Sequence, residues 1–432
     1  TAANIQTLRE AVNELKTHRG WLISMRRVTP AARESARKDD RLRCYTFDEL
    51  VDQKANFAKY FTWLEEEVKR RGIETYYVNL ACTKDDLDPA TGETLGTSRY
   101  ERVDDYIGQW LDDPAAEHIS ILGEFGTGKT WFCLHYANQA MQVYRAAKQA
   151  GRQRPRLPIV VQLRDFVKAM DVETLFSDFF FRKFEIGLPG YSAYEQLNSM
   201  GKLLLIFDGF DEMADRTNRQ KQIDNFRQLA RAVGPGAKAI LTCRTEHFEF
   251  AKAAAKILGG EGTPTVSPEP TALLEPPRFE IVKLEKLSPA QVTQIIVKRE
   301  GGERGGALAR RILAIPALAD LAQRAGFIEF IVAALPSLHE SGRIDPGRVL
   351  LHATRELLFK NLYERRSFTS MSDKVHFLCE LAWEMLSTGE LKLNFSQFPD
   401  RLRQYRKDLK EREIDHWRFD LGGQSLLMRD DD

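Results

Sequence analysis

The feature that most narrows the choice of folds is one eight-residue stretch, Gly123-Glu124-Phe125-Gly126-Thr127-Gly128-Lys129-Thr130. Its glycines let the chain turn back sharply while successive backbone N–H groups aim inward. The positive end of a following helix adds to their pull on anions. The flanks agree with this: an apolar run, Ile119–Leu122, precedes the loop, and an apolar helical stretch, Trp131–Met141, follows it. Strand, glycine loop and helix in that order form a phosphate-binding arrangement. Residues Gly123 through Thr130 are therefore candidates to hold the phosphates of a nucleotide. Lys129 would reach the β- and γ-phosphates, and the Thr130 hydroxyl would ligate Mg²⁺.

Phosphate binding alone is not hydrolysis, which needs an acid near the metal. Leu203-Leu204-Leu205-Ile206-Phe207-Asp208 supplies one. A buried apolar strand ending in Asp puts its carboxylate at the carboxyl edge of a sheet, where ligands bind in open α/β folds. Asp208 would then share the Mg²⁺ with Thr130. Gly209-Phe210-Asp211-Glu212 adds two more carboxylates within a turn. Either Asp211 or Glu212 is placed to orient and deprotonate an attacking water. A third apolar run, Ala239-Ile240-Leu241-Thr242-Cys243-Arg244, ends in an arginine. At the same sheet edge, Arg244 would contact a γ-phosphate and report its presence.

Around these runs the chain alternates strands and helices. Ile119–Leu122, Pro158–Leu163, Leu203–Phe207, Ala239–Thr242 and Phe279–Leu284 are short apolar runs with helical patterns between them. That is the mark of an α/β parallel sheet with helices on both faces. Residues 1–52 carry a smaller α-β-α-β-α pattern, with Thr29-Pro30 as a helix N-cap and first residue. Residues 53–117 read as helical and loop-rich. Gly259–Pro277 reads as an exposed loop. After Leu287-Ser288-Pro289 the pattern is all-helical, broken at Gly301–Gly306.

The totals exclude several classes. The 432 residues include 63 basic and 62 acidic ones, for a net charge of +1, which makes no case for nucleic acid or an anionic membrane. No run of about 18 apolar residues occurs, so no membrane span is expected. The N-terminus has no signal peptide, and Cys44, Cys82, Cys133, Cys243 and Cys379 are scattered without a CxxC pair. This points to reduced thiols in a cytoplasmic protein with no cysteine zinc site. The chain opens on Thr1 rather than Met, and is read as a fragment of a longer protein.

Taken together, GEFGTGKT, LLLIFDGFDEM and ILTCRTEHF resemble the NACHT group of STAND P-loop NTPases. Asp208-Gly209-Phe210-Asp211-Glu212 matches that group's acidic motif position by position, and Thr242-x-Arg244 matches its sensor. The resemblance implies an NTPase domain over 118–287, a small helical domain over 288–345 and an incomplete winged-helix-like region over 346–432. A helical linker over 53–117 would precede them. It implies ATP/ADP and Mg²⁺ as cofactors, Lys129, Asp211, Glu212 and Arg244 in catalysis, and slow, switch-like turnover. It further implies self-oligomerisation on activation by an unknown, phage-derived trigger, as in bacterial antiviral defence. Two departures from the group stand out. Ala325 occupies the place of a proline that contacts adenine, with Pro316 just upstream. The winged-helix histidine falls beyond Asp432. Residues 1–52, through Trp21–Met25, Thr29–Arg33 and Leu42–Leu50, resemble the tail of an Mrr-type restriction endonuclease domain. Its catalytic residues would precede Thr1, so DNA enters only through such an effector. The alternative is an AAA+ or helicase-like P-loop motor working on DNA, which requires DNA-stimulated turnover.

Overall fold

The computed structural model describes residues 1–87, 94–114, 116–163, 172–188, 190–210, 229, 236–245, 278–339, 347–349, 351–352, 370–388, 398–406, 409–410, 413–414 and 417. The first unit follows the predicted order: α1 (Ala2–Glu14), β1 (Gly20–Ser24), α2 (Pro30–Arg37), β2 (Leu42–Thr46) and α3 (Phe47–Lys54). Thr29 caps α2 by accepting from the Ala32 N–H, with Pro30 in the first turn. Thr46 and Glu49 form a reciprocal capping box at the start of α3. The parallel pair β1–β2 runs from Gly20 opposite Leu42 to Ser24 opposite Thr46. Ile5, Val12, Ala32, Ala36 and Leu42 form its core.

Next come α4 (Ala58–Arg70), α5 (Ile73–Tyr76), β3 (Cys82–Leu87), β4 (Thr94–Tyr100), α6 (Val103–Asp112), β5 (Ala116–Leu122), α7 (Lys129–Gln149) and β6 (Leu157–Gln162). They are followed by α8 (Val172–Ser177), a π-helical turn (Asp178–Lys183), α9 (Tyr191–Ser199), β7 (Leu203–Asp208), β8 (Ala239–Cys243) and β9 (Arg278–Leu284). The described strands form a sheet in the order β4-β3-β9-β5-β8-β7-β6. From β9 to β6 every pairing is parallel. Every residue of β6, β7 and β8 is buried. Alternate side chains point to opposite faces, so both faces are covered, and the strands therefore read as unbroken apolar runs. Each buried Leu or Ile contributes roughly 1.5–3 kcal/mol.

Residues 82–87 and 94–100, within the stretch expected to be a helical linker, are strands instead: they pair antiparallel with each other, and the first also pairs with β9, extending the sheet. Ion pairs join β3 to β9: Lys84 with Glu280, and Asp85 with Lys283. At the other edge, the Tyr60 hydroxyl on α4 accepts the Val160 N–H of β6 at 2.9 Å. Lys238, just before β8, donates to the Trp110 and Asp113 carbonyls at 2.7 and 2.5 Å, closing the C-terminal end of α6.

The helical part comprises α10 (Pro289–Glu300), α11 (Gly302–Leu313), α12 (Pro316–Ala322), α13 (Ala325–His339), α14 (Met371–Thr388) and α15 (Phe398–Tyr405). Ser288 and Gln291 make a capping box with Pro289 in the first turn of α10, as the sequence predicts. The glycine-rich break is narrower than expected: only Gly301, at φ +83°, separates α10 from α11. Gly305 lies inside α11, where a Cβ would come 2.7 Å from the Val297 Cα, so the two helices approach through it. Lys298 donates to the Tyr77 carbonyl and Gln291 to the Asn79 carbonyl, tying α10 to the segment before β3. Phe377, Leu381, Leu402, Ile414 and Trp417 form a separate small core. No helix among the described residues is long and apolar enough to cross a membrane. All five cysteines are free thiols.

Candidate functional site

The loop Gly123–Gly128 joins the end of β5 to the start of α7 at the carboxyl edge of the sheet. Gly126 (φ +81°) and Gly128 (φ +102°) hold left-handed conformations that side chains with a Cβ resist. A Cβ on Gly123 would come 2.6 Å from the Thr127 hydroxyl, which itself donates to the Glu124 carbonyl at 2.8 Å. The Gly123 N–H donates to the Cys243 carbonyl at 3.2 Å, fixing the loop to the end of β8. Inside the loop, Lys129 Nζ donates to the carbonyls of Gly123 (2.7 Å) and Glu124 (3.2 Å).

Asp208 ends β7 and is only 6% exposed. Its Oδ1 accepts from the Thr130 hydroxyl at 3.2 Å and from the Thr242 hydroxyl at 2.9 Å. Thr242 in turn accepts the Gly209 N–H at 2.9 Å, closing the turn after β7. The Cys133 thiol lies fully buried, one turn into α7. Burial, and then the Asp208 carboxylate, push its pKa well above the ordinary thiol value.

Thr130 Oγ1 and Asp208 Oδ1 fit a shared divalent cation. Neighbouring ligands of an octahedral Mg²⁺ at about 2.1 Å lie roughly 3 Å apart, close to the observed 3.2 Å. A hydroxyl and one carboxylate, completed by phosphates and water, is an ordinary donor set for Mg²⁺. Asp211 and Glu212, the expected water-activating acids, lie outside the described residues.

Arg244 follows β8 and is 7% exposed, with its guanidinium 5.4 Å from the centre of the Phe125 ring. Phe125 is met edge-on by Phe327 of α13, centroids 5.8 Å apart. The Gly326 N–H donates to the Gly126 carbonyl at 2.9 Å, and a Cβ at 326 would come 3.2 Å from the Gly126 Cα, a tight fit. Arg324 Nε donates to Glu124 Oε2 at 2.9 Å, and Lys286 lies 3.6 Å from the same oxygen. Ala325 opens α13 beside Gly128.

The structure thus brings Gly123–Thr130, Asp208 and Arg244 to one edge. Thr242, Cys133, Arg324, Gly326 and Phe327 join them without having been assigned roles from the sequence. Thr242 carried a signal, being a hydroxyl near the end of an otherwise apolar run. The α13 residues carried none, because their partners lie about 200 positions upstream.

Residues 1–52 match a family described as NACHT-associated inactive restriction endonuclease 1. The whole chain is 46% identical, over 438 aligned residues, to an uncharacterised WD repeat-containing protein of Nostoc sp.. It covers 28% of that relative's length. Among solved structures, a Walker-type ATPase of Pyrococcus abyssi is similar at 14% identity and a TM-score of 0.32, over 76% of this chain and 90% of the other. The replication initiator DnaA, bound to AMPPCP and single-stranded DNA, is similar at 15% identity and a TM-score of 0.32, over 74% and 91%. The fold is a parallel-dominated α/β sheet with flanking helices, followed by helices.

Proposed function

We propose that this chain is a NACHT-type ATPase whose bound nucleotide governs assembly, and through it an attached effector, in bacterial antiviral defence. The observation that carries the reading is the meeting, at one sheet edge, of Lys129, the Thr130–Asp208 pair and Arg244, on a loop against which α13 is docked. The inward N–H groups of the loop and Lys129 would hold the phosphates. Thr130 and Asp208 would hold Mg²⁺, which supplies charge neutralisation to the transferring phosphoryl group. Asp211 or Glu212 orients water and takes its proton, and Arg244 contacts the γ-phosphate. The match of residues 1–52 to a NACHT-associated family supports this choice over a DNA-tracking motor. No nuclease chemistry is assigned to residues 1–52, since that family is described as inactive. A repeat-bearing region, of the kind named in the Nostoc relative, is the trigger-reading partner we propose.

The test is to identify the nucleotide retained by the purified protein, then follow its mass by light scattering with ADP, with ATP and with added DNA. Retained adenine nucleotide and growth in mass with ATP are expected. A protein that binds no adenine nucleotide ends the proposal, and steady turnover that rises with DNA replaces it with the motor.

A further inference from the structure

Phe125 is an apolar side chain, 37% exposed, in a loop whose work with phosphate needs only backbone N–H groups and Lys129. Its surroundings explain the ring. On one side lies the Arg244 guanidinium, 5.4 Å from the ring centre. On another, Phe327 meets the ring edge-on, at an interplanar angle of 66°. One residue on, the Gly126 carbonyl accepts the Gly326 N–H, so the loop and the first turn of α13 are joined by backbone as well. Arg244 is nearly buried, and an aromatic face stabilises a guanidinium that water reaches poorly. A phosphate oxygen is a stronger partner for that cation than a ring is.

We propose that Phe125 is the resting place of Arg244, in competition with the terminal phosphate of a nucleoside triphosphate, and that the exchange is passed to α13 through Phe327. The idea rests on the nucleotide reading above. While Arg244 rests on Phe125, the ring touches both Arg244 and Phe327, and α13 stays docked on Gly126. When Arg244 turns to a γ-phosphate, the ring loses one partner and the docking of α13 loosens. A diphosphate offers no such competitor. Phe125 is thus a positioning residue that sets the preference between diphosphate and triphosphate.

The experiment measures the affinities of the purified chain for ADP and for a non-hydrolysable ATP analogue, both with Mg²⁺, by calorimetry. Phe125→Leu keeps apolar bulk without a ring face, whereas Phe125→Tyr keeps the face. The leucine variant is expected to shift the affinity ratio toward the triphosphate by roughly three- to tenfold. The tyrosine variant should stay within about twofold of wild type. Phe327→Leu, which leaves the loop sequence intact, should shift the ratio the same way by at least about twofold. Should Phe125→Leu fail to fold or bind either nucleotide, Phe327→Leu decides alone. An unchanged ratio in Phe327→Leu, or equal losses for both nucleotides in Phe125→Leu, overturns the proposal. If wild type itself binds neither nucleotide, the nucleotide reading has failed first, and the calorimetry shows this directly.

Discussion

The loop after β5 is held differently on its two sides. Toward β7 and β8 it faces a buried knot of hydrogen bonds, in which Asp208 accepts from Thr130 and Thr242, and Thr242 accepts from Gly209. Toward α13 it faces half-exposed contacts: the Glu124–Arg324 pair, the Phe125–Phe327 rings and a single backbone bond from Gly326. Buried, fully partnered polar groups are costly to disturb, and they fix geometry. Solvated ion pairs and ring contacts are weak and exchange readily. One side is suited to positioning a metal with little play. The other is suited to letting go.

The sharpest break in this contrast would come from Lys129→Ala. It should weaken nucleotide binding by at least about a hundredfold, the loss expected when a charged partner leaves a phosphate unpaired. Equal affinity in calorimetry would remove the premise that the loop binds phosphate. Arg244→Ala should reduce ATP-dependent assembly by roughly tenfold or more, as for loss of a charge-assisted bond. Light scattering with ATP reads this, and unaltered assembly would deny Arg244 its reporting role.

Thr242→Val tests the rigid side directly. Removing a hydroxyl that orients a metal ligand should raise the Mg²⁺ needed for half-maximal hydrolysis by about 10- to 100-fold, with recovery in Thr242→Ser. A wild-type Mg²⁺ titration in the valine variant would show that Asp208 needs no such clamp. The smallest effect belongs to the yielding side. Arg324→Ala should lower the melting temperature by no more than about 2 °C at low salt. In about 1 M salt the difference should vanish, because the pair is screened there. A large, salt-independent loss would mean that α13 is held as firmly as Asp208.

What the sequence disclosed follows the range of each interaction. The loop, its flanking strand and helix, and the caps at Thr29 and Ser288 are local patterns, and each appears where the residues indicate. The buried strands were legible because a parallel sheet covered on both faces leaves no polar alternation. The strands at 82–87 and 94–100 were not, since they are polar and the first is tied by charge to a partner nearly 200 positions away. Thr242 was visible as part of a motif, but its bond to Asp208 spans 34 positions and depends on β7 and β8 being neighbours. The docking of α13 needed the whole domain in place first.

The Tyr60 hydroxyl bonded to the Val160 N–H has a consequence for strand addition at this edge of the sheet. A sheet's outer strand ordinarily invites a foreign strand to zip alongside it. On β6 the donor at Val160 is already taken by a side chain from α4, and a visiting strand would have to evict a fully buried phenol to reach it. Adding a strand at that position would therefore cost the displacement of a buried side chain as well as the bond it makes.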